Sequence, residues 1–504
     1  MADGQWLNIA DRFLVDRLRE GRGGRVALRL DGRDSTYDEI DRLANRFGNA
    51  LLARDVRPEE RVIIALPDGA EYAAALFGIL KVGAVAVMVN PGLAAEGMAA
   101  MVDLSRARVA VSDPVVAVPV AQPLVAGPGE GEHLDQPDTL ATARTHRDDP
   151  AIWLFTGGTT GLPKAAVQTH GSFANTTRCY AQTAMGWRED DVTLAVPKLY
   201  FGYATGSNLF FPFSVGASAA LFPEHPTATV VFDRIARHRP TILVNVPKMV
   251  AEMVDHPAAG DQDLSCLRFA TSAGEALPPS LHQRWSDTFG VPLYDGLGTA
   301  EMWHIFVSNQ PGAVRPGSLG RAVPGFDVRV CDDVGNEMRT GQVGRLWVRG
   351  DSRALGYWQD AEKSAEAFRG EWFAASDMVR RDADGYFHYV GRADDALKVG
   401  GKWLLPAEVE DCLLAHPAVS AAAVVGVADA GGLTKPVAFV VASGAGGSGC
   451  PREELEGALR DHCLAHLDPY KAPRRVFVLD ELPRTHLGKV DRGALRRQGA
   501  TAFA

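Results

Sequence analysis

The chain has 504 residues, enough for roughly two to four structural units and a large hydrophobic core. Apolar residues make up 46% of it and charged residues 23%, as in ordinary globular proteins, and the net charge of −10 at pH 7 argues against a nucleic-acid partner. Its six cysteines show no paired spacing, so the sequence predicts neither a zinc site nor a disulfide framework and indicates a cytoplasmic protein. The most apolar window, residues 73–89, is interrupted by Lys81 and Gly83, and no secretory signal is recognised, so no membrane association is predicted.

Helical and strand-like segments alternate through the first part of the chain, which predicts parallel sheets covered by helices. The pattern predicts helices at residues 37–53 and 73–81, and buried strands at residues 62–66, 84–89 and 151–155. A stretch rich in proline, valine and glycine at residues 114–137 is predicted to be a loop or an insertion.

The pattern changes in the last third of the chain. Short strands bounded by glycine and aspartate predict a small β-subdomain at about residues 320–392. A helix at residues 407–415 and strands at residues 421–427 and 437–441 predict a separate small domain, with a mobile Gly/Ser-rich loop at residues 443–449. The predicted fold class is therefore α/β: a large N-terminal domain of helix-covered sheets plus the β-subdomain (residues 1–392), followed by a small, mobile α+β C-terminal domain (residues 393–504).

A run rich in glycine and threonine follows the predicted strand at residues 151–155 and ends in a lysine. Glycines let the backbone curl so that its N–H groups point at phosphate oxygens, while the threonine hydroxyls and the lysine add donors. The spacing fits neither the P-loop nor the Rossmann fingerprint, and an ordinary surface turn is the alternative for this motif alone. The candidate phosphate-binding residues are Thr156, Gly157, Gly158, Thr159, Thr160, Gly161 and Lys164.

Two segments further along the chain also follow predicted strands. Residues 294–301 bring Thr299 and Glu301 to one neighbourhood, and Glu301 is a candidate Mg²⁺ ligand because hard cations prefer carboxylate and phosphate oxygens. A solvated glutamate after a tight turn is the alternative. Residues 272–278 contain a glycine that could bring the backbone against a flat ring.

Two more segments lie in the C-terminal part: residues 385–402, typical of a hinge or a glycine-rich hairpin, and residues 482–492, with a single central lysine. Together, the five segments resemble the adenylate-forming superfamily of acyl-CoA synthetases, peptide-synthetase adenylation domains and luciferases, over residues 8–497. This resemblance implies that the chain activates a carboxylic acid with ATP to an acyl-adenylate plus pyrophosphate, and then passes the acyl group to a thiol. The implied cofactors and co-substrates are ATP, Mg²⁺ and coenzyme A.

The resemblance also implies roles for individual residues. The run from Thr156 to Lys164 would hold the β- and γ-phosphates, Gly274 and Glu275 would lie along the adenine, and Asp295 and Gly296 would lie near its edge. The implied catalytic residues are Thr299 at the α-phosphate, Glu301 at the metal, and Lys489, which would neutralise charge on the carboxylate and the α-phosphate.

In the C-terminal part, the resemblance assigns the ribose to Asp377 and Arg392. Asp394 would be the hinge about which the small domain turns, and Gly401 and Lys402 would line the coenzyme A tunnel.

The acyl-binding region looks like the benzoate-CoA ligase branch, on residues 197–212 and 301–309. Flat aromatic walls suit an aryl acid, and His304 would lie near its carboxylate or a ring substituent; the alternative is that these aromatic residues are plain core. The implied acyl-binding residues are Phe201, Tyr203, Gly206, Ala273 and His304.

Four departures from the superfamily pattern keep alternatives open. They are Ala165 after the loop lysine, Ala375 and Ser376 before Asp377, Gly400, and Trp403, which could narrow the thiol tunnel. The departures allow a member that performs mainly the thioester-forming half-reaction. Two further alternatives stay open independently of them: an adenylation enzyme that loads a carrier protein, and a non-catalytic nucleotide-binding scaffold. A homodimer is compatible with the sequence.

Overall fold

The computed structural model describes residues 5–156, 163–400, 402–429, 431–443, 452–484 and 490–500. In this part of the chain, the strands form five sheets, of which the two largest lie in the first 322 residues.

The six-stranded sheet, here called sheet A, contains the predicted strands at residues 62–66, 84–89 and 151–155, which are confirmed. Five neighbouring strands run parallel and the last is antiparallel. The candidate phosphate loop therefore connects the two antiparallel strands Pro150–Thr156 and Lys164–Thr169. Residues 157–162 themselves lie outside the described part. The order across the sheet is Gln122–Val125, Val109–Ser112, Arg61–Ala65, Val85–Met88, Pro150–Thr156 and Lys164–Thr169.

The prediction of a loop or insertion at residues 114–137 is wrong for part of this stretch. Residues Gln122–Val125 form the edge strand of sheet A, and Glu132–Asp135 form a short 3₁₀ helix. Pro123 makes this segment resemble a loop in the sequence. An edge strand nevertheless tolerates proline, because one side of its backbone forms no hydrogen bonds to a neighbouring strand.

The nine-stranded sheet, here called sheet B, has a parallel centre of six strands and antiparallel pairs at both ends. Its order is Arg321–Ala322, Ile305–Ser308, Leu293–Gly298, Phe269–Ser272, Ile242–Asn245, Val192–Ala195, Ser218–Ala220, Val26–Arg29 and Ser35–Thr36.

Helices accompany these strands along the chain, and the predicted helices at residues 37–53, 73–81 and 407–415 are confirmed. The α-helices are Asp16–Arg19, Tyr37–Leu52, Ala70–Lys81, Ala95–Ser105, His170–Thr176, Gly202–Thr205, Phe211–Val215, Ala228–His238, Pro247–Val254, Pro279–Phe289, Ala361–Ala367, Pro406–Leu414, Arg452–His466 and Arg492–Gly499. Segments of π-helix are Asp11–Val15, Thr177–Met185 and Gly206–Phe210; further 3₁₀ segments are Ala259–Asp261, Ala300–Met302 and Ala393–Asp395.

Local sequence explains where these helices begin and what they cover. Thr36 caps Tyr37–Leu52: its side chain accepts the Glu39 N–H, and the Glu39 carboxylate accepts the Thr36 N–H in return. Against sheet B, helices Ala228–His238, Pro247–Val254 and Pro279–Phe289 bury a common apolar cluster that contains the fully buried Trp285. Burial of such apolar faces supplies most of the stability of these helices.

Three smaller sheets complete the fold. A five-stranded sheet contains Asp327–Cys331, Val343–Arg349, Trp372–Arg381 and Phe368–Arg369 in this order, with Phe387–Arg392 beside Trp372–Arg381. A two-stranded sheet pairs Leu397–Val399 with Lys402–Leu404, and a three-stranded sheet has the order Val419–Ala428, Thr434–Ala442 and Arg475–Leu479. The predicted α/β fold class is confirmed.

The chain divides into two compact units. The large unit comprises residues 1–328, 348–374 and 384–387, and the C-terminal unit comprises residues 329–347, 375–383 and 388–504. The C-terminal unit thus includes parts of the predicted β-subdomain, and the boundary between residues 392 and 393 stays a prediction. The predicted mobile loop at residues 443–449 lies almost wholly outside the described residues.

None of the described helices combines the length and the apolar character that crossing a membrane requires.

Candidate active site

Two parallel strands of sheet B bring two of the predicted segments together. Phe269–Ser272 and Leu293–Gly298 are neighbours, and Ser272 lies opposite Asp295 in the register. Because parallel strands end at the same edge of a sheet, residues 272–278 and 294–301 both start from this edge. The sequence predicted both as parts of one nucleotide site, and the topology brings them together.

Several buried polar atoms without a hydrogen-bond partner lie at this edge of sheet B or in segments next to it. Burial also raises the pKa of the Asp295 carboxyl well above its usual range. Buried polar groups in proteins are almost always hydrogen-bonded, so each of these atoms is a candidate contact for a ligand. Among the described residues, the atoms concerned are Gln168 Oε1, Thr299 Oγ1 and His304 Nδ1, while Ser272 and Asp295 interact with each other.

Glu301 lies beside these atoms and is only 6% exposed. It belongs to the 3₁₀ segment Ala300–Met302, directly after the strand Leu293–Gly298. Its Oε1 accepts a hydrogen bond of 2.6 Å from the Tyr357 hydroxyl, and Lys164 Nζ lies 4.9 Å from the centroid of the same Tyr357 ring. One tyrosine therefore connects the predicted metal ligand to the predicted phosphate lysine.

Residues 355–358 hold Tyr357 in place by pairing with the strand Lys164–Thr169. The Val167 N–H donates to the Gly356 carbonyl at 3.0 Å, and the Trp358 N–H donates to the Ala165 carbonyl at 2.9 Å. Ala165, one of the four departures, lies in this strand, and its side chain is part of a buried apolar cluster with Trp153. The structure thus accommodates its methyl group.

His304 is a buried member of the predicted acyl-binding residues, with 2% of its surface exposed. Its Nε2 lies 3.0 Å from both the Tyr203 carbonyl and Ser207 Oγ, so Nε2 carries the proton and donates it, and Nδ1 is the bare acceptor. Burial lowers the pKa of His304 to about 3. The imidazole is therefore neutral at pH 7 and cannot pair as a cation with a carboxylate.

Two of the other predicted acyl-binding residues, Tyr203 and Gly206, lie against this imidazole. The Tyr203 ring centroid lies 5.2 Å from that of His304, and the Tyr203 hydroxyl lies 2.7 Å from Thr271 Oγ1. A Cβ at Gly206 would lie 2.5 Å from His304 Cδ2, so glycine is required for this packing. Ala273 is buried directly after the strand Phe269–Ser272, whereas Phe201 is half-buried and packs its ring against Tyr200 at 4.5 Å.

Sequence reasoning missed Tyr180 and Phe211, whose rings also pack on His304, with centroids 5.4 and 4.6 Å away. Tyr180 lies in the segment Thr177–Met185, outside every motif. Phe211 lies within residues 197–212, which carry the resemblance, but no sequence signal distinguishes its ring from a core residue.

The residues predicted around the adenine differ from each other in their surroundings. Gly274 has a positive φ of 95° and open space where a side chain would be, and Glu275 beside it is exposed. A Cβ at Gly296, in contrast, would lie 2.9 Å from the Val307 carbonyl, so strand packing alone requires this glycine.

The remaining predicted residues belong to the C-terminal unit or lie outside the described residues. Asp377 and Arg392 both act on the pKa of Tyr389, which burial raises; Asp377 raises it further and Arg392 opposes this. Asp394 is in the 3₁₀ segment Ala393–Asp395, and Lys402 Nζ lies 4.8 Å from the Tyr470 ring centroid. The residues from Gly157 to Gly161, Gly401 and Lys489 lie outside the described residues.

Comparison with known proteins identifies the family. A model of AMP-binding enzymes matches residues 15–358, and a model of the AMP-binding enzyme C-terminal domain matches residues 408–489. The chain belongs to the AMP-binding enzyme family. The predicted adenylate-forming superfamily is thereby confirmed.

Individual members of the AMP-binding enzyme family match almost the whole chain. Benzoate–CoA ligase of Thauera aromatica is 40% identical, over 97% of this chain and 95% of its own length. Among solved structures, the anthranilate CoA ligase AuaEII in complex with anthranoyl-AMP is 38% identical with a TM-score of 0.91, covering 99% of this chain and 98% of that one. A benzoate CoA ligase from Burkholderia xenovorans LB400 is 38% identical with a TM-score of 0.87, covering 97% of this chain and 99% of that one.

Tyr357 was not predicted as a site residue of this AMP-binding enzyme. We expect Tyr357→Phe to lower the rate of adenylate formation about tenfold, because a hydrogen bond to a charged group is removed while the ring under Lys164 remains. The measurement is ATP-dependent pyrophosphate release. Tyr72→Phe is the matched control, since the buried Tyr72 hydroxyl has no hydrogen-bond partner among the described residues. Equal rates in the two variants would show that Tyr357 does not position Glu301.

The low pKa of His304 predicts how stability depends on pH. The unfolded chain binds a proton at His304 below about pH 6.5, whereas the folded chain does so only near pH 3, so this residue lowers stability as pH falls between these values. In that window, we expect the pH dependence of the unfolding free energy to be about 1.4 kcal/mol per pH unit shallower in His304→Leu than in the wild type. Denaturant unfolding at several pH values measures it. Identical slopes would mean that His304 is protonated in the folded protein.

Proposed function

We propose that this protein is an ATP-dependent, AMP-forming acyl-CoA ligase that acts on an aromatic, benzoate-like carboxylic acid. The similarity to benzoate- and anthranilate-CoA ligases over almost the whole chain carries the proposal. ATP, coenzyme A and a small carboxylic acid are its substrates.

The two half-reactions follow from the chemistry of the carboxylate. A free carboxylate is a poor electrophile, so its oxygen first attacks the α-phosphorus of ATP, and pyrophosphate leaves. The sulfur of coenzyme A then attacks the acyl carbon of the adenylate, and AMP leaves with the electron pair of the broken C–O bond. The thiol gives up its proton in this second step.

In the first half-reaction, the groups at the edge of sheet B bind and orient the nucleotide. Lys164 and the adjacent loop bind the β- and γ-phosphates, and Thr299, whose buried Oγ1 has no partner among the described residues, donates to the α-phosphate. Lys489 supplies positive charge at the reacting oxygens. In a site that excludes water, such fixed charges stabilise the developing negative charge more strongly than they would in water.

Glu301 fits the role of a Mg²⁺ ligand. Its carboxylate is buried, and among the described residues only Oε1 is engaged, by the Tyr357 hydroxyl. One carboxylate oxygen is thus held in place while the other faces no described partner, which suits a cation that takes one protein carboxylate and several phosphate oxygens. Mg²⁺ bound there would neutralise phosphate charge during adenylate formation.

The neutral imidazole of His304 favours a role at the aromatic ring rather than at the carboxylate. Its Nδ1 is a buried acceptor without a partner among the described residues, so a hydroxyl or amino group on the ring could donate to it. Tyr203 and Phe211 pack against the same imidazole and provide the aromatic surroundings that a flat ring requires.

A panel of acids tests the substrate class. We would measure kcat/KM for benzoate, hydroxybenzoates, aminobenzoates, cinnamate and aliphatic acids with ATP, Mg²⁺ and coenzyme A. Benzoate-type acids are expected to exceed aliphatic acids by at least about tenfold, since a mismatched apolar pocket costs about 1–3 kcal/mol. A preference for aliphatic acids would contradict the proposal. Product formation on a carrier protein but not on coenzyme A would instead support the carrier-loading alternative.

A homodimer and a cytoplasmic location stay predictions.

A further inference from the structure

A group of potential metal ligands lies on two helices of the C-terminal unit, with no part in the chemistry above. Cys412 is on the helix Pro406–Leu414, and His462 and His466 are on the helix Arg452–His466. One ligand atom from each of the three residues lies within 4.8 Å of the other two. In a tetrahedral zinc site, sulfur and nitrogen ligands are about 3.5 Å apart, so small side-chain rotations would suffice to complete the geometry.

The helices fix this arrangement. His462 and His466 are four residues apart and therefore lie on the same helix face, one turn from each other. The two helices share an apolar core that includes Leu413, Leu459 and Cys463, which holds Cys412 opposite the histidines. Cys412 and His462 are half-buried and His466 is exposed, so a cation from solvent can reach them.

Backbone carbonyls already orient both imidazoles. His462 Nε2 donates to the Cys412 carbonyl at 3.1 Å, and His466 Nδ1 donates to the His462 carbonyl at 2.8 Å. Each ring thus uses one nitrogen as a donor to a carbonyl, and its other nitrogen is the one available to a metal ion. Metal-bound histidines in proteins show the same second hydrogen bond, from the ring nitrogen that does not bind the metal.

Two further residues flank the cluster. The Cys463 thiol is buried and hydrogen-bonded to the Cys412 sulfur. His416 also lies nearby, with its ring centroid 5.2 Å from that of His462, but its Nδ1 accepts the Ala418 N–H. His416 therefore has no free lone pair to offer and is a neighbour of the site.

We propose that Cys412, His462 and His466 bind one Zn²⁺ ion, with a fourth position open to water. One thiolate and two imidazoles are the ligand types that Zn²⁺ prefers over Mg²⁺ or Ca²⁺. Binding releases the Cys412 proton and ties the helix Pro406–Leu414 to the helix Arg452–His466.

The cysteine spacing in the sequence predicts no zinc site. Cys412 and His462 are 50 residues apart, and only the packing of the two helices brings them together. The spacing of the histidine pair is visible in the sequence, but such a pair on a helix is common without a metal.

Titration of metal-free, full-length protein with Co²⁺ under a non-thiol reductant tests the proposal. The expected result is one equivalent of Co²⁺ bound, with a sulfur-to-cobalt charge-transfer band and the intense visible bands of tetrahedral cobalt, both abolished by added Zn²⁺. Cys412→Ser removes the charge-transfer band, and His466→Ala weakens binding at least about tenfold. His416→Ala, the matched control, binds like the wild type, and Mg²⁺ in place of Zn²⁺ leaves the cobalt bands unchanged.

His466 is exposed, so its substitution is expected to leave the thermal unfolding of the metal-free protein and its Mg²⁺-dependent ligase activity unchanged. Absence of the charge-transfer band in the wild type, or unchanged binding in His466→Ala, would overturn the proposal. Because the readout is the cobalt spectrum, neither result depends on the ligase assignment.

Discussion

Replacement of Lys489 by alanine is expected to lower the rate of aryl-adenylate formation by about 10²–10³-fold, because the cation that neutralises the carboxylate and the α-phosphate is removed. Thioester formation from a supplied aryl-adenylate is expected to change much less, since that step begins after the charge has been transferred to pyrophosphate. Pyrophosphate release measures the first half-reaction, and acyl-CoA formation from synthetic aryl-adenylate measures the second.

Lys248→Ala is the matched control for this experiment. Lys248 is 55% exposed on the helix Pro247–Val254 and pairs with Glu252 at 3.4 Å, and exposed ion pairs of this kind contribute little. Its removal is expected to leave both half-reactions unchanged. An equal loss of both half-reactions in Lys489→Ala would refute the separate role of this lysine in adenylation.

Replacement of Glu301 by glutamine is expected to reduce adenylate formation about 100-fold and to raise the Mg²⁺ concentration needed for half-maximal rate. Glutamine has almost the same shape and can still accept the Tyr357 hydroxyl, so the variant removes the charge and leaves the packing. Steady-state pyrophosphate release over a range of Mg²⁺ concentrations is the measurement.

The matched control is Glu252→Gln, a surface carboxylate that pairs with Lys248. It should retain the wild-type rate and Mg²⁺ dependence. If Glu301→Gln kept the wild-type Mg²⁺ dependence but lost rate, Glu301 would act by orienting other groups, and the metal-ligand role would be wrong.

The parts of the fold that sequence predicts well are those with strong local signals. The helices at residues 37–53 and 73–81 and three strands of sheet A, at residues 62–66, 84–89 and 151–155, have strong apolar patterns. The structure places them within about three residues of the predicted bounds. The edge strand Gln122–Val125 was missed because Pro123 is typical of loops. An edge strand pairs on one side only, so it tolerates a proline.

The candidate site likewise contains some residues that sequence motifs predict and others that depend on tertiary contacts. Glu301 and Lys164 follow from motifs in the sequence, because a specific chemistry requires these residue types at fixed spacing. Tyr357 could not be predicted from a motif. Its contacts with Glu301 and Lys164 depend on residues 355–358 lying along the strand Lys164–Thr169. The charge state of His304 also could not be predicted, because it results from burial among residues that are distant in sequence.

The proposed zinc-binding group shows the same limit. The helix at residues 407–415 was predicted from local pattern and the helix Arg452–His466 was not, and the distance between Cys412 and the histidine pair is a property of helix packing.

The most direct measurement is one incubation of the purified protein with benzoate, ATP, Mg²⁺ and coenzyme A, with AMP, pyrophosphate and acyl-CoA quantified by mass spectrometry. The expected result is benzoyl-CoA, AMP and pyrophosphate in equal amounts, with no benzoyl-CoA when ATP is omitted. Benzoyl-CoA from supplied benzoyl-adenylate but not from benzoate and ATP would contradict a complete ligase and indicate an enzyme of the second half-reaction alone.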